Sequence, residues 1–248
     1  MTLGLAFNLY QEGKALPGFL EAAIPYFDDI VAIHSGPGTK LSDDGTLDIL
    51  YRWGIRTVFD DIYRGYGEIR TRCLRESKAD WVVILDADER FHPILQSYVC
   101  EGDERYPQVR EPNLKVEKLP ATVAQGDALK RAIVHAEPDV MGIVCNRRHW
   151  FDFSHTKPMQ NWRHPDHKDY QLRIVRNDPN IGYRPEIKMH EQLIDYRTGL
   201  TPKTLHREDL IIDHYGPWFH KMAPNQRAED IATYNKLDGG NRLPGDNS

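Results

Sequence analysis

Two aspartates, Asp86 and Asp88, stand one residue apart just past the apolar run Trp81-Val82-Val83-Ile84-Leu85. Carboxylates at i and i+2 beyond a strand can converge on one hard divalent cation, with phosphate oxygens and water completing its shell. Mg²⁺ or Mn²⁺ held there would neutralise the charge that builds on a departing diphosphate. The same string also serves as a solvated acidic turn or a helix cap, positions that aspartate favours. Further along, Arg173 and Arg176 offer guanidinium forks that match phosphate oxygens, or else they line an exposed strand face. The aromatic group His149, Trp150, Phe151, Phe153 and Trp162 falls in an irregular, polar stretch. An acceptor can stack there, and a core can equally form there.

For the carboxylates to form a site, Trp81–Leu85 must be a strand whose carboxyl end opens on a crevice, since ligands of open parallel sheets collect at that edge. The preceding pattern supplies the sheet. Leu3–Phe7, Ile30–Ile33 and Arg56–Phe59 read as strands; Ala15–Tyr26, Leu47–Trp53 and Tyr66–Ser77 carry helical spacing. Strand and helix alternate through the first ninety residues, which predicts a mostly parallel sheet flanked by helices. The second half is less regular. Residues 101–126 are polar with three prolines and read as an insertion or extended loop; Asp127–His135 reads as a helix. Gly142–Cys145, Tyr170–Val175, Ile187–Met189 and Asp209–Asp213 read as strands, and 238–248 as a frayed tail.

A chain of 248 residues can bury one sizeable α/β core. No apolar run nears the roughly 18 residues that a membrane-crossing helix needs. The first residues show no basic leader, so a cytoplasmic protein is expected. Cys73, Cys100 and Cys145 are odd in number and far apart, which suits reduced, buried thiols better than a disulfide framework. A net charge of −5 argues against a surface built to neutralise many phosphates.

Five stretches, in the family's order along the chain, resemble a bacterial branch of the family 2 glycosyltransferases, which have the GT-A fold. Ala79–Glu89 is similar to the family's D-x-D region, and Leu5–Glu12 to its first strand with the Asn/Glu turn that follows. Asp169–Asn177 resembles the branch's Arg-x-x-Arg segment. Lys188-Met189-His190-Glu191 is similar to its His-Glu signature, and Asp213-His214-Tyr215-Gly216 to its closing motif. The resemblance covers about residues 3–235. It departs at the second strand, which in the family ends in Asp and here ends in His34-Ser35-Gly36, with Asp44-Gly45-Thr46 several residues late.

The resemblance implies one GT-A domain, with 1–91 as the nucleotide-sugar half and 92–237 as the acceptor and catalytic half. It implies a metal-dependent, inverting transfer from a nucleoside-diphosphate sugar to an acceptor hydroxyl. Asp86, Asp88 and His214 would hold Mn²⁺ or Mg²⁺. Asn8, Arg70, Asp86, Arg173, Arg176 and His190 would bind the donor, and Glu191 would be the base. A glycan is the expected acceptor, with a peptide or a hydroxylated DNA base as alternatives. The competing readings are a nucleotidyltransferase, for which Gly36-Pro37-Gly38 is too short a phosphate loop, and a non-catalytic nucleotide- or sugar-binding module.

Overall fold

A computed structural model describes residues 1–91, 121–149, 169–187 and 191–215. His190, the aromatic stretch from Trp150 to Trp162, most of the 101–126 segment and the 238–248 tail lie outside the described residues.

Among the described residues eight strands form one sheet: β1 (Leu3–Leu9), β2 (Asp29–His34), β3 (Arg56–Phe59), β4 (Trp81–Asp86), β5 (Glu89–Phe91), β6 (Gly142–His149), β7 (Asp169–Arg176) and β10 (Thr204–His214). Their order is β3-β2-β1-β4-β7-β6-β10-β5. The β3-β2-β1-β4 half is parallel throughout. β7 runs antiparallel to both β4 and β6, β6 is parallel to β10, and β5 is antiparallel to β10. A separate hairpin pairs β8 (Ile181–Tyr183) with β9 (Leu193–Asp195). The expected mixed, mostly parallel sheet flanked by helices is therefore what the chain forms.

Both faces of the central strands are covered, which is why they read as unbroken apolar runs. On β4, Trp81, Val83 and Leu85 join a core with α1 (Leu16–Ala23), α2 (Thr46–Arg52) and α4 (Ala121–Val134). Val82 and Ile84 point the other way, into a second core with α3 (Tyr66–Glu76) and the β8–β9 hairpin. Asp86 follows Val82 and Ile84 in the two-residue alternation, so its side chain lies on the α3 side.

The departures from expectation have local causes. α1 stops at Ala23, and Ile24–Tyr26 tightens into a 3-10 turn at Pro25, which lacks an amide donor. α4 begins at Ala121, inside the stretch expected to be a loop. Strand β10 begins at Thr204 rather than Asp209; a register shift between Arg207 and Ile211 interrupts the alternation that would have revealed its first half. Ile187 is not in a strand. Among the described residues no helix is long and apolar enough to cross a membrane. Cys73 and Cys145 are both buried.

Candidate functional site

The strand directions bring the carboxyl ends of β1, β4, β6 and β10 to one edge of the sheet, together with the start of β7. A cleft of about 730 Å³ opens there. Asn8, Arg70, Asp86, Asp88, Arg173, Glu191 and His214 all line it.

The D-x-D segment is a tight turn between β4 and β5, and neighbouring groups lock it. The Glu89 carboxylate accepts from the Asp86 amide at 3.1 Å. Arg90 donates to the carbonyls of Ala87, Glu89 and Ala15, and its guanidinium lies 5.6 Å from the Tyr215 ring. The Asp88 carbonyl accepts from the Tyr215 amide at 2.8 Å, tying the turn to the end of β10. Asp88 and His214 thereby face each other, with Oδ2 and Nε2 3.2 Å apart. Burial opposes a charge on His214, but the Asp88 carboxylate outweighs it and raises the imidazole's pKa.

Asp86 turns away from that pair. Its carboxylate accepts from Arg70 Nη2 at 3.2 Å and from Arg173 Nη2 at 3.1 Å. Both arginines are almost fully buried, at 4% and 3% exposure. Arg70 reaches the sheet because α3 packs closely on the 184–187 loop: a Cβ on Gly67 would stand 2.7 Å from the Arg184 carbonyl oxygen. Arg70 Nε also donates to Glu191 Oε1 at 2.7 Å. Burial works against a charge on Glu191; the Arg70 guanidinium outweighs it and holds the carboxyl below its ordinary value.

Among the described residues no three His, Cys, Asp or Glu side chains converge on one point. Asp88 and His214 are a two-ligand pair offering carboxylate oxygen and imidazole nitrogen, a donor set that suits Mn²⁺. Divalent cations at phosphate-transfer sites commonly take one or two protein ligands and complete their shell with substrate phosphate and water. The pair fits such an ion, with Asp86 beside it and held by arginine.

Arg176 is not in the cleft. It pairs with Trp81 at the opposite end of β4, donates to the carbonyls of Val140 and Glu137, and lies 4.6 Å from the Trp81 ring. The offset of three residues from Arg173 explains this, because odd offsets on a strand point to opposite faces. Arg70 and Arg173 are in the cleft, but carboxylates already engage them, so they differ from free phosphate clamps.

The structure also adds a residue that sequence reasoning passed over. Glu89 is fully buried. It accepts from Arg173 Nε at 2.9 Å, from Arg173 Nη2 at 2.7 Å and from Arg147 Nη1 at 3.2 Å. Burial opposes its charge, but the Arg173 and Arg147 guanidiniums outweigh it and bring the carboxyl to about 2. A signal was present: Glu89 and the apolar Phe91 are two apart in an extended segment, which puts them on the same inward face.

His34, where the resembling family has aspartate, is buried and directed at the following loop. Its Nε2 accepts from the Ser42 amide at 3.2 Å and lies 2.9 Å from Ser42 Oγ. Burial lowers its pKa, so the ring is neutral at pH 7. The late Asp44-Gly45-Thr46 anchors the turn after β1: Asp44 accepts from the Gly13 amide and Thr46 Oγ1 from the Glu12 amide. Together these contacts pin the 35–46 loop beside the cleft, where Tyr10, Ser35 and Pro37 form a wall.

No protein-family model matches the sequence, and no curated protein matches it. Solved structures do resemble it. The mannosyltransferase PcManGT from Pyrobaculum calidifontis, in complex with GDP-Man and Mn²⁺, is 15% identical, with a TM-score of 0.50 over 98% of this chain and 66% of that one. TarS 1–349 of S. aureus is 14% identical, with a TM-score of 0.45 over 97% and 70%. Glucosyl-3-phosphoglycerate synthase from Mycobacterium tuberculosis, with UDP, is 22% identical over only 35% and 34%, with a TM-score of 0.30. The likeness to the mannosyltransferase is one of fold: this chain has a GT-A, Rossmann-like architecture and spans 66% of that protein's length.

Proposed function

We propose that the chain is a metal-dependent glycosyltransferase that moves a sugar from a nucleoside-diphosphate donor to an acceptor hydroxyl, with inversion at the anomeric carbon. The carrying observation is the Asp88–His214 pair at the carboxyl edge of the sheet, with Asp86 beside it between two arginines. Residues 1–91 supply the donor side and 92–237 the acceptor side.

In this reading Asp88 and His214 would hold Mn²⁺ or Mg²⁺, and Asp86 would bind the ion or the donor's ribose. The bound ion supplies Lewis-acid stabilisation of the leaving diphosphate. Asn8 Oδ1 and Tyr10 Oη are buried without a hydrogen-bond partner and line the cleft, so they are placed to meet polar groups of a donor. Arg70 and Arg173 act first on the carboxylates and only through them on the diphosphate. Glu191 is ionised at neutral pH and takes the acceptor proton late, as the anomeric carbon becomes cationic. Its pairing with Arg70 fixes its orientation and makes it a weak base, so proton transfer trails bond breaking.

A glycan is the favoured acceptor. A DNA acceptor would need an electropositive cleft, whereas Arg70, Arg147 and Arg173 are each matched by carboxylates.

The test is hydrolysis of UDP-, GDP-, ADP-, CMP- and dTDP-sugars by purified protein with Mn²⁺, with Mg²⁺ and with EDTA. Slow release from one donor is expected, abolished by EDTA and by Asp88→Ala, with the variant's circular dichroism spectrum matching that of wild type. Silence across the panel, with no thermal shift from any donor plus metal, would favour a non-catalytic binding module.

A further inference from the structure

One buried carboxylate contacts the Asp86 amide and Arg173 and sits, by its place in the chain and on β5, beside Asp88 and His214. Glu89 closes the D-x-D turn by accepting from the Asp86 amide. It holds Arg173 through two hydrogen bonds, and Arg173 Nη2 is the same group that reaches Asp86 Oδ2. On β5 it is also the cross-strand partner of His214, and it directly follows Asp88.

Burying a carboxylate this fully costs several kcal/mol unless the cation beside it is well placed, and an apolar side chain would anchor β5 at less cost. The charge itself therefore calls for an explanation. In this cluster three guanidiniums (Arg70, Arg147, Arg173) face four carboxylates (Asp86, Glu89, Asp169, Glu191). With Glu89 neutral, Arg173 loses its main counter-charge. It is then drawn onto Asp86 and toward the adjoining Asp88–His214 site, where its positive charge opposes a dication.

We propose that Glu89 is a positioning residue for the D-x-D pair: it restrains Arg173 and shapes the 86–89 turn, so that Asp88 stays directed at His214 and open to a divalent cation. This rests on the reading of Asp88 and His214 as the cation's ligands. Glu89 itself does not touch the ion.

The test uses Glu89→Gln, which keeps the shape and an acceptor oxygen but removes the charge. Mn²⁺ binding in the presence of UDP, and separately GDP, is measured by the paramagnetic resonance signal of free Mn²⁺. Metal-free nucleotide binding is measured calorimetrically in EDTA, and the melting temperature is recorded. Groups that orient metal ligands from behind typically change affinity by about 10–100-fold. The expectation is a rise of at least about tenfold in the Mn²⁺ dissociation constant, while metal-free nucleotide binding is unchanged or tighter. Glu89→Asp, which restores the charge on a shorter arm, should recover part of the Mn²⁺ affinity. A lower melting temperature with unchanged Mn²⁺ affinity would mean that Glu89 only holds the fold, and would overturn the proposal. If Glu89→Gln does not fold, Arg173→Lys carries the same test: an ammonium cannot span Glu89 and Asp86 together, and unchanged Mn²⁺ affinity there overturns the proposal. If wild-type protein binds no Mn²⁺ with either nucleotide, the metal reading itself fails, and this inference fails with it.

Discussion

Replacing Arg70 with methionine removes the guanidinium that bridges Asp86 and Glu191. The side chain is 4% exposed, so methionine fills its volume without restoring a charge. Breaking a buried ion pair by deleting one partner costs about 3–5 kcal/mol, because the other charge is left uncompensated. Two features reduce that figure here. Asp86 keeps Arg173 and is 31% exposed, so it is only partly orphaned. Glu191 is 17% exposed and can recruit some water. The loss should therefore be about 2–3 kcal/mol at neutral pH. In a domain of this size that lowers the melting temperature by roughly 5–10 °C.

The pH dependence provides the sharper check. In the wild type, the folded pKa of Glu191 lies below the ordinary glutamate value of 4.5. Its pairing therefore contributes stability that is fully present above about pH 4.5 and is lost as the pH falls further. In Arg70→Met the main favourable partner is gone and burial is opposed only by the Glu191 backbone and by Arg173, so Glu191 takes up a proton more readily in the folded state. The stability gap between wild type and variant must narrow as the pH drops from 7 toward 4. Urea unfolding of both proteins at pH 7.0 and pH 4.0 measures the gap at each end. A gap under about 0.5 kcal/mol at pH 7.0, within the range of an ordinary surface substitution, would refute the bridging role. An equal gap at both pH values would show that lost packing, not charge, is responsible.

Two further substitutions separate the cleft from the rest of the sheet. Gly36→Ala places a methyl 1.8 Å from the Lys40 carbonyl oxygen and 3.0 Å from the Tyr10 ring, so the 35–46 loop must move. Overpacking of this kind costs about 1–3 kcal/mol, and displacement of that wall should weaken calorimetric nucleotide binding by about tenfold or more. Retained affinity would mean that the loop does not shape the donor pocket. Arg176→Met should cost about 1–2 kcal/mol in urea unfolding, from its carbonyl hydrogen bonds and its stacking on Trp81. It should leave nucleotide affinity within twofold; a larger loss would return Arg176 to a phosphate-binding role.

What could be read from the sequence follows from how each feature is encoded. Strands β1, β2 and β4 lie between two cores, so burial writes them as largely apolar runs, and the carboxylates ending β4 could be located from that run alone. Period 2 could also have separated Arg173 from Arg176, since a face is a local property of a strand. The partners of Arg70 and Arg173 are encoded differently. Arg70 meets Glu191 across 121 positions, and Arg173 meets Asp86 across 87. No spacing rule says whether a guanidinium in a cleft faces phosphate or carboxylate; only the folded charge count does. Two buried guanidiniums and a third that is part-buried would be prohibitively costly without near-equal negative charge. The carboxylates of this site are thus required by its arginines as much as by any substrate. Glu89, the most buried of them, read as part of an acidic turn because its burial depends on β10, which joins the sheet more than a hundred residues later in the chain.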